Sequence, residues 1–210
     1  THCRRLRASA ARTVAGRASA RSYTAPTMLL SERPRIRFCR ACGAAMHYRI
    51  PDGDNRERAT CEACGLVDYE NPINVVGTVP YWEDQVLLCK RAIEPRHGMW
   101  TLPAGFLELG ESSSAGALRE TDEEAGAHVE LGPLFSLLNV VRVGQVHMYY
   151  LAALQDLAFD PGPESLEVRL FREPDVPWQQ IAFGTVRRTL ELYFEDRRRG
   201  VFGVHSGDVG

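Results

Sequence analysis

A chain of 210 residues with 44% hydrophobic content has enough apolar material for one ordinary domain plus an appendage, which excludes a globally disordered protein. A net charge of −2 offers no general attraction for nucleic acid or an anionic membrane. No apolar run reaches the roughly 18 to 20 residues that a bilayer span requires, so no membrane partner is expected.

Four segments follow one another. Residues 1–35 form a leader. Its first part carries Arg4, Arg5, Arg7, Arg12, Arg17 and Arg21, many Ala and Ser, and no Asp or Glu up to residue 27. Taking those six positive charges from the net −2 leaves −8 for the remainder. An arginine-rich, acid-free start has the composition of an organelle transit peptide; a basic arm touching nucleic acid is the competing reading.

Residues 36–70 hold Cys39-x2-Cys42 and Cys61-x2-Cys64, with 18 residues between the pairs and Gly43 and Gly65 directly after them. Four thiolates at this spacing suit a tetrahedral structural Zn²⁺. The block is too small and polar to fold on an apolar core, so the metal would supply folding free energy. A disulfide pair or a redox motif are the alternatives. Zinc ribbons often bind nucleic acid, but here Arg35, Arg37, Arg40, Arg49, Arg56 and Arg58 are offset by Asp52, Asp54, Glu57, Glu62, Asp68 and Glu70. Nucleic acid is therefore not the expected partner, and a lid or interaction role fits better.

Residues 71–200 carry the strand and helix patterns, and the glycine-rich residues 201–210 read as a flexible tail. Strands are expected at Val75–Pro80, Gln85–Cys89, Trp100–Leu102, Val129–Val141, Val146–Leu154 and Val168–Phe171, with a short turn at Trp178–Ile181. Helices are expected at Ser113–Ala125 and Gly184–Arg197. Cys89, on an apolar strand, reads as a small buried residue.

The segment Gly105–Ala127 carries the chemistry. Glu120, Glu123 and Glu124 lie at i, i+3 and i+4, which stacks three carboxylates on one helix face. Like charges that close resist joint ionisation, and a hard cation such as Mg²⁺ relieves the conflict while bridging phosphate oxygens. Ser112, Ser113 and Ser114 are N-cap candidates, and Gly126 is placed to end the helix. Ala117, Leu118, Thr121 and Ala125 form the less polar side, expected to pack on a sheet.

The segment resembles the Nudix hydrolase signature Gly-x5-Glu-x7-Arg-Glu-U-x-Glu-Glu-x-Gly-U, where U is a bulky aliphatic residue. Gly105, Glu111, Arg119, Glu120, Glu123, Glu124 and Gly126 match its seven fixed positions; Thr121 and Ala127 occupy the two U positions, and the Thr121 hydroxyl is expected to weaken packing. The resemblance implies an α/β fold, a Nudix α/β/α sandwich preceded by a small zinc ribbon. It also implies Mg²⁺ or Mn²⁺ held by Glu120 and Glu124 with Glu123 in the same cluster, Arg119 orienting the carboxylates, and Glu111 supporting the loop or a metal-bound water. Glu120, Glu164 and Glu167 are the candidate general bases; Glu164 and Glu167 are also expected, with Trp100 and Phe106, to contact substrate, a surface position being the competing reading for Glu167. Trp100, Phe106 and Tyr149 could stack on a substrate ring, though the core is the competing place for each.

Further segments narrow the resemblance to the plant chloroplast FAD diphosphatases. These are Phe38-Cys39-x-x-Cys42-Gly43, Ile50-Pro51-Asp52-Gly53, Asn71-Pro72, Val86 to Arg91, His97 to Gly105, and Pro161 to Glu167. That group cleaves FAD to FMN and AMP in the stroma, which would make the leader a chloroplast one, with mitochondrion or cytoplasm as alternatives. A homodimer is the common assembly of such folds. Related NADH diphosphatases carry Ser-Gln-Pro-Trp-Pro-Phe-Pro after the box, which is absent here. The ADP-ribose class has a proline about sixteen positions past the box, where this chain has Val141-Arg142-Val143. ADP-ribose and NADH stay as alternative substrates, since specificity lies in loops outside the box.

Overall fold

The computed structural model describes residue 29 and residues 33–210, so the transit-peptide expectation for the leader falls almost entirely outside the described residues. The four-cysteine block forms a three-stranded antiparallel sheet of β1 (Met46–Arg49), β2 (Arg58–Cys61) and β3 (Val67–Asp68), in that order. Its buried apolar residues are Cys39, Met46, Ala59 and Cys61, far too little to offset the chain entropy of folding.

Among the described residues, those after the ribbon form one mixed sheet of eight strands with a helix on each face. Its elements are β4 (Ile73–Trp82), β5 (Gln85–Arg91), β6 (Trp100–Thr101), β7 (Ala104–Phe106), α1 (Ser113–Ala125), β8 (Val129–Val140), β9 (Gln145–Leu154), β10 (Ser165–Arg172), α2 (Gly184–Arg199) and β11 (His205–Asp208). The spatial order is β10-β5-β4-β9-β8-β11, with β6 beside β5 and β7 beside β4. β4 and β9 run parallel, and the connection between them carries α1.

Strand alternation divides the core in two. On β5, Val86 and Leu88 join α2 residues Val186, Leu190 and Tyr193, whereas Leu87 and Cys89 join Ala125 of α1. Cys89 is buried, as expected. β4 is longer than expected and crosses Pro80, which has no N–H to donate. The strand tolerates it because one edge changes partner there, from β7 at Val75–Gly77 to β5 at Tyr81 and Trp82.

Residues 201–210 are not a free tail. β11 pairs parallel with β8 from His205↔Ser136 to Asp208↔Asn139. Asp196 of α2 accepts from Gly203 N at 3.1 Å and lies 2.7 Å from His205 Nε2. Glycine content concealed this strand, because its partners come from an element some seventy residues away.

Candidate active site and zinc ribbon

Helix α1 starts where Ser112 accepts from Ala115 N at 3.1 Å and stops at Gly126, whose φ of 56° is the left-handed conformation open to glycine. Its buried face is Gly116, Ala117, Thr121, Glu124 and Ala125; Leu118, expected on that face, is exposed. The Thr121 hydroxyl does not weaken the packing. It donates to Ala117 O at 2.7 Å and, with its single proton so committed, accepts from Thr78 Oγ1 of β4 at 2.7 Å. Both threonines are fully buried. Thr121→Val should therefore destabilise by about 1 to 2 kcal/mol by stranding the Thr78 hydroxyl, whereas Thr78→Val together with Thr121→Val should be nearly neutral. Denaturant melts of the two single variants and the double variant measure this coupling, and additive losses would contradict it.

Buried Glu124 accepts from Ala104 N of β7 at 3.1 Å. Desolvation raises its pKa to about 8 and also raises that of Glu120, against the pull of Arg119. Arg119 ties the cluster together. Its Nη1 donates to Glu120 Oε1 at 2.7 Å and to Glu123 Oε2 at 3.1 Å, and Nη2 and Nε reach the Glu111 carboxylate at 2.8 and 3.1 Å. Nη2 also donates to Phe106 O. Arg119 holds the Glu111 carboxyl down at about 2. Two of the three stacked carboxylates thus already share a guanidinium, which relieves part of the repulsion that the helical spacing creates. Gly105 makes room for this arrangement: a Cβ there would stand 2.4 Å from the Glu120 carboxylate.

Glu120, Glu123 and Glu124 line a cleft of about 710 Å³, within the size range of small-molecule sites. Two desolvated, mutually repelling carboxylates fit a hard divalent cation, whose binding would have to expel the extra proton from Glu124. Phe106 and Glu164 also line the cleft. Trp100 and Glu167 correct the expectation for substrate contact. Trp100 is 4% exposed and packs edge-on against Phe171 at 4.8 Å, so its faces are unavailable for stacking. Glu167 lies on β10 and pairs with Lys90 at 3.7 Å and Arg169 at 3.8 Å, away from the cleft.

The loop bearing Glu164 is held to α1, since Asp160 N donates to Ala125 O at 2.9 Å and Gly162 N to Glu124 O at 3.2 Å. Sequence reasoning did not single out Arg91, Gln145, His147, Phe183 or Thr185, all of which line the cleft. No local spacing marks them, because they converge from β5, β9 and the start of α2.

His147 is buried, and desolvation lowers its pKa to about 4 from the usual 6.5. Between those values the unfolded chain binds a proton that the folded chain does not. Stability is therefore complete above about pH 6.5 and is lost as pH falls towards 4, by roughly 2 to 3 kcal/mol from this group. Comparing His147→Gln with the parent in pH-dependent melts checks this: the variant should lose less stability over that interval, and an identical acid slope would refute it.

In the ribbon, the four cysteine Sγ atoms lie within 4.8 Å of one another and form no disulfide. Cys39–Cys64 and Cys42–Cys61 are 3.6 and 3.5 Å apart, close to the roughly 3.8 Å edge of a tetrahedron with Zn–S bonds of about 2.3 Å. Gly43 N and Gly65 N donate back to Cys39 O and Cys61 O, both at 2.8 Å, with φ of 76° at each glycine. These matched knuckles present the thiols inward and fit a structural Zn²⁺.

An α/β/α sandwich with acidic α1 residues turned into a cleft, preceded by a four-cysteine ribbon, defines the class of protein: a ribbon suited to zinc joined to a domain whose cleft suits a divalent cation. Residues 72–189 match the NUDIX domain family, and residues 37–70 match the Nudix N-terminal zinc-ribbon family. The chain belongs to the Nudix family. It is 29% identical over 162 residues to the NAD-capped RNA hydrolase NudC of Photobacterium profundum, covering 73% of this chain and 56% of that protein. The chain thus spans about half the length of that relative. Its fold matches the crystal structure of a NUDIX hydrolase from Nitrosomonas europaea at 47% identity and a TM-score of 0.80, covering 83% of this chain and 99% of the other. It also resembles the NUDIX domain of Shewanella oneidensis NrtR complexed with ADP ribose, at 25% identity and a TM-score of 0.50, covering 63% and 91% of the two chains.

Proposed function

We propose that this protein hydrolyses the diphosphate bond of a dinucleotide in a reaction dependent on Mg²⁺ or Mn²⁺, with FAD, cleaved to FMN and AMP, as the preferred substrate. The observation that carries the reading is the pair of desolvated carboxylates, Glu120 and Glu124, in a cleft of about 710 Å³ that also presents Phe106. The segments flanking the box, from His97 to Gly105 and from Pro161 to Glu167, support FAD. NADH and ADP-ribose form the second reading; the relatives named NAD-capped RNA hydrolases favour a substrate that contains the NAD diphosphate, and the NrtR domain complexed with ADP ribose favours ADP-ribose.

Glu120 and Glu124 would hold the cation, with the more exposed Glu123 beside them. Bound there, it would neutralise the diphosphate and lower the pKa of a water. Arg119 fixes the carboxylate orientations, and Glu111 anchors Arg119 and accepts from Glu108 N at 2.8 Å. The water oxygen bonds to phosphorus, the bridging P–O bond breaks, and the water proton passes to Glu120 or Glu164, the two base candidates in the cleft. Turnover of FAD, NADH, ADP-ribose and CoA with Mg²⁺, with products separated by chromatography, tests the proposal. FAD should give FMN and AMP with the highest kcat/KM. FAD falling below the others removes the narrower reading, and no turnover of any substrate removes the diphosphatase.

A further inference from the structure

On β9 the side chains of Gln145, His147 and Tyr149 alternate with Val146, Met148 and Tyr150, so the first three share the face that lines the cleft. Thr185, in the first turn of α2, completes this wall. His147 Nε2 lies 3.0 Å from Gln145 Oε1, and its Nδ1 lies 3.2 Å from Thr185 Oγ1. An amide oxygen only accepts, so Nε2 carries the ring proton. The bare Nδ1 then accepts from the Thr185 hydroxyl. With Oε1 committed to the imidazole, the Gln145 NH₂ has no hydrogen-bond acceptor among the described residues and stands at the cleft wall.

This wall differs from the one opposite. The side chains of Gln145, Tyr149 and Thr185 carry no charge and burial keeps His147 neutral; the nearest charged side chain in chain order that also lines the cleft is Arg142, on the turn before β9. This uncharged patch of four side chains, with an oriented amide donor, suits the uncharged edge of a ring better than a phosphate, which the cation site serves. We propose that Gln145 is a specificity residue that donates an N–H to a hydrogen-bond acceptor on the substrate's heterocycle, with His147 and Thr185 as positioning residues. The assignment rests on the dinucleotide diphosphatase reading. Adenine, isoalloxazine and nicotinamide all offer such an acceptor, and kinetics on three substrates separate them.

The test uses the full chain with Mg²⁺ and FAD, NADH and ADP-ribose. Gln145→Leu should raise KM about tenfold, the worth of one good hydrogen bond, with a smaller fall in kcat. A rise on all three substrates identifies the adenine edge; a rise on FAD alone identifies isoalloxazine, and on NADH alone nicotinamide. Thr185→Val should raise KM for the same substrates, and Thr185→Ser, which keeps the hydroxyl, should restore it. Nitrogen NMR of the substrate-free protein should show His147 protonated on Nε2, with that signature altered in Thr185→Val but kept in Thr185→Ser. An unchanged KM on every substrate that the wild type turns over, or a proton on Nδ1, overturns the assignment. No turnover by the wild type instead removes the parent reading, and the specificity role with it, while the tautomer still reports on the relay.

Discussion

Glu124→Gln is expected to lower Mg²⁺-dependent kcat/KM by about 10²-fold or more, since loss of even an outer-shell partner of a metal site costs 10- to 100-fold. The fold should survive, because Gln matches Glu in shape and keeps an oxygen to accept from Ala104 N. The metal-free variant should also match or exceed the parent in stability at pH 8. With a folded pKa raised to about 8 from 4.5, Glu124 binds a proton in the folded state that the unfolded chain has released. Its burial therefore costs stability increasingly as pH rises from 4.5 to 8, and the neutral amide escapes that cost. Steady-state kinetics and thermal melts without metal check both parts. Near-wild-type turnover would sink the assignment of Glu124 to the cation site.

Zinc removal is the second large effect. Elemental analysis of purified protein should find about one zinc per chain. Cys61→Ser, which replaces a buried thiol, should unfold residues 36–70 while leaving the main sheet folded. Structural zinc contributes roughly 10 to 16 kcal/mol in small modules, against a ribbon core of four buried residues here. Hydrogen exchange should lose protection in β1 and β2 and keep it in β4 and β9. Protein without zinc, its four cysteines paired as disulfides, would refute the site.

Several features were legible because they are local. Helix α1 occupies the span read from its serine cap and Gly126, since both caps act within one turn of the helix. The cysteine spacing marked the thiols that the fold gathers, because each knuckle closes over a few residues. Thr121 was misjudged because its partner, Thr78, is 43 positions away. Trp100 and Phe106 look alike as nearby aromatic residues, yet one is in the core and the other lines the cleft.

The sequence by itself determined the Nudix box, the four zinc-spaced cysteines and most strand and helix spans, because spacing along one helix or knuckle already dictates which side chains meet. The tertiary structure alone decided that Arg119 shares its charge between Glu111, Glu120 and Glu123, that Glu164 and not Glu167 enters the cleft, and that β11 closes the sheet edge beside β8. It also assembled the wall of Gln145, His147 and Thr185. The physical reason is that burial and partner choice depend on contacts between segments distant along the chain.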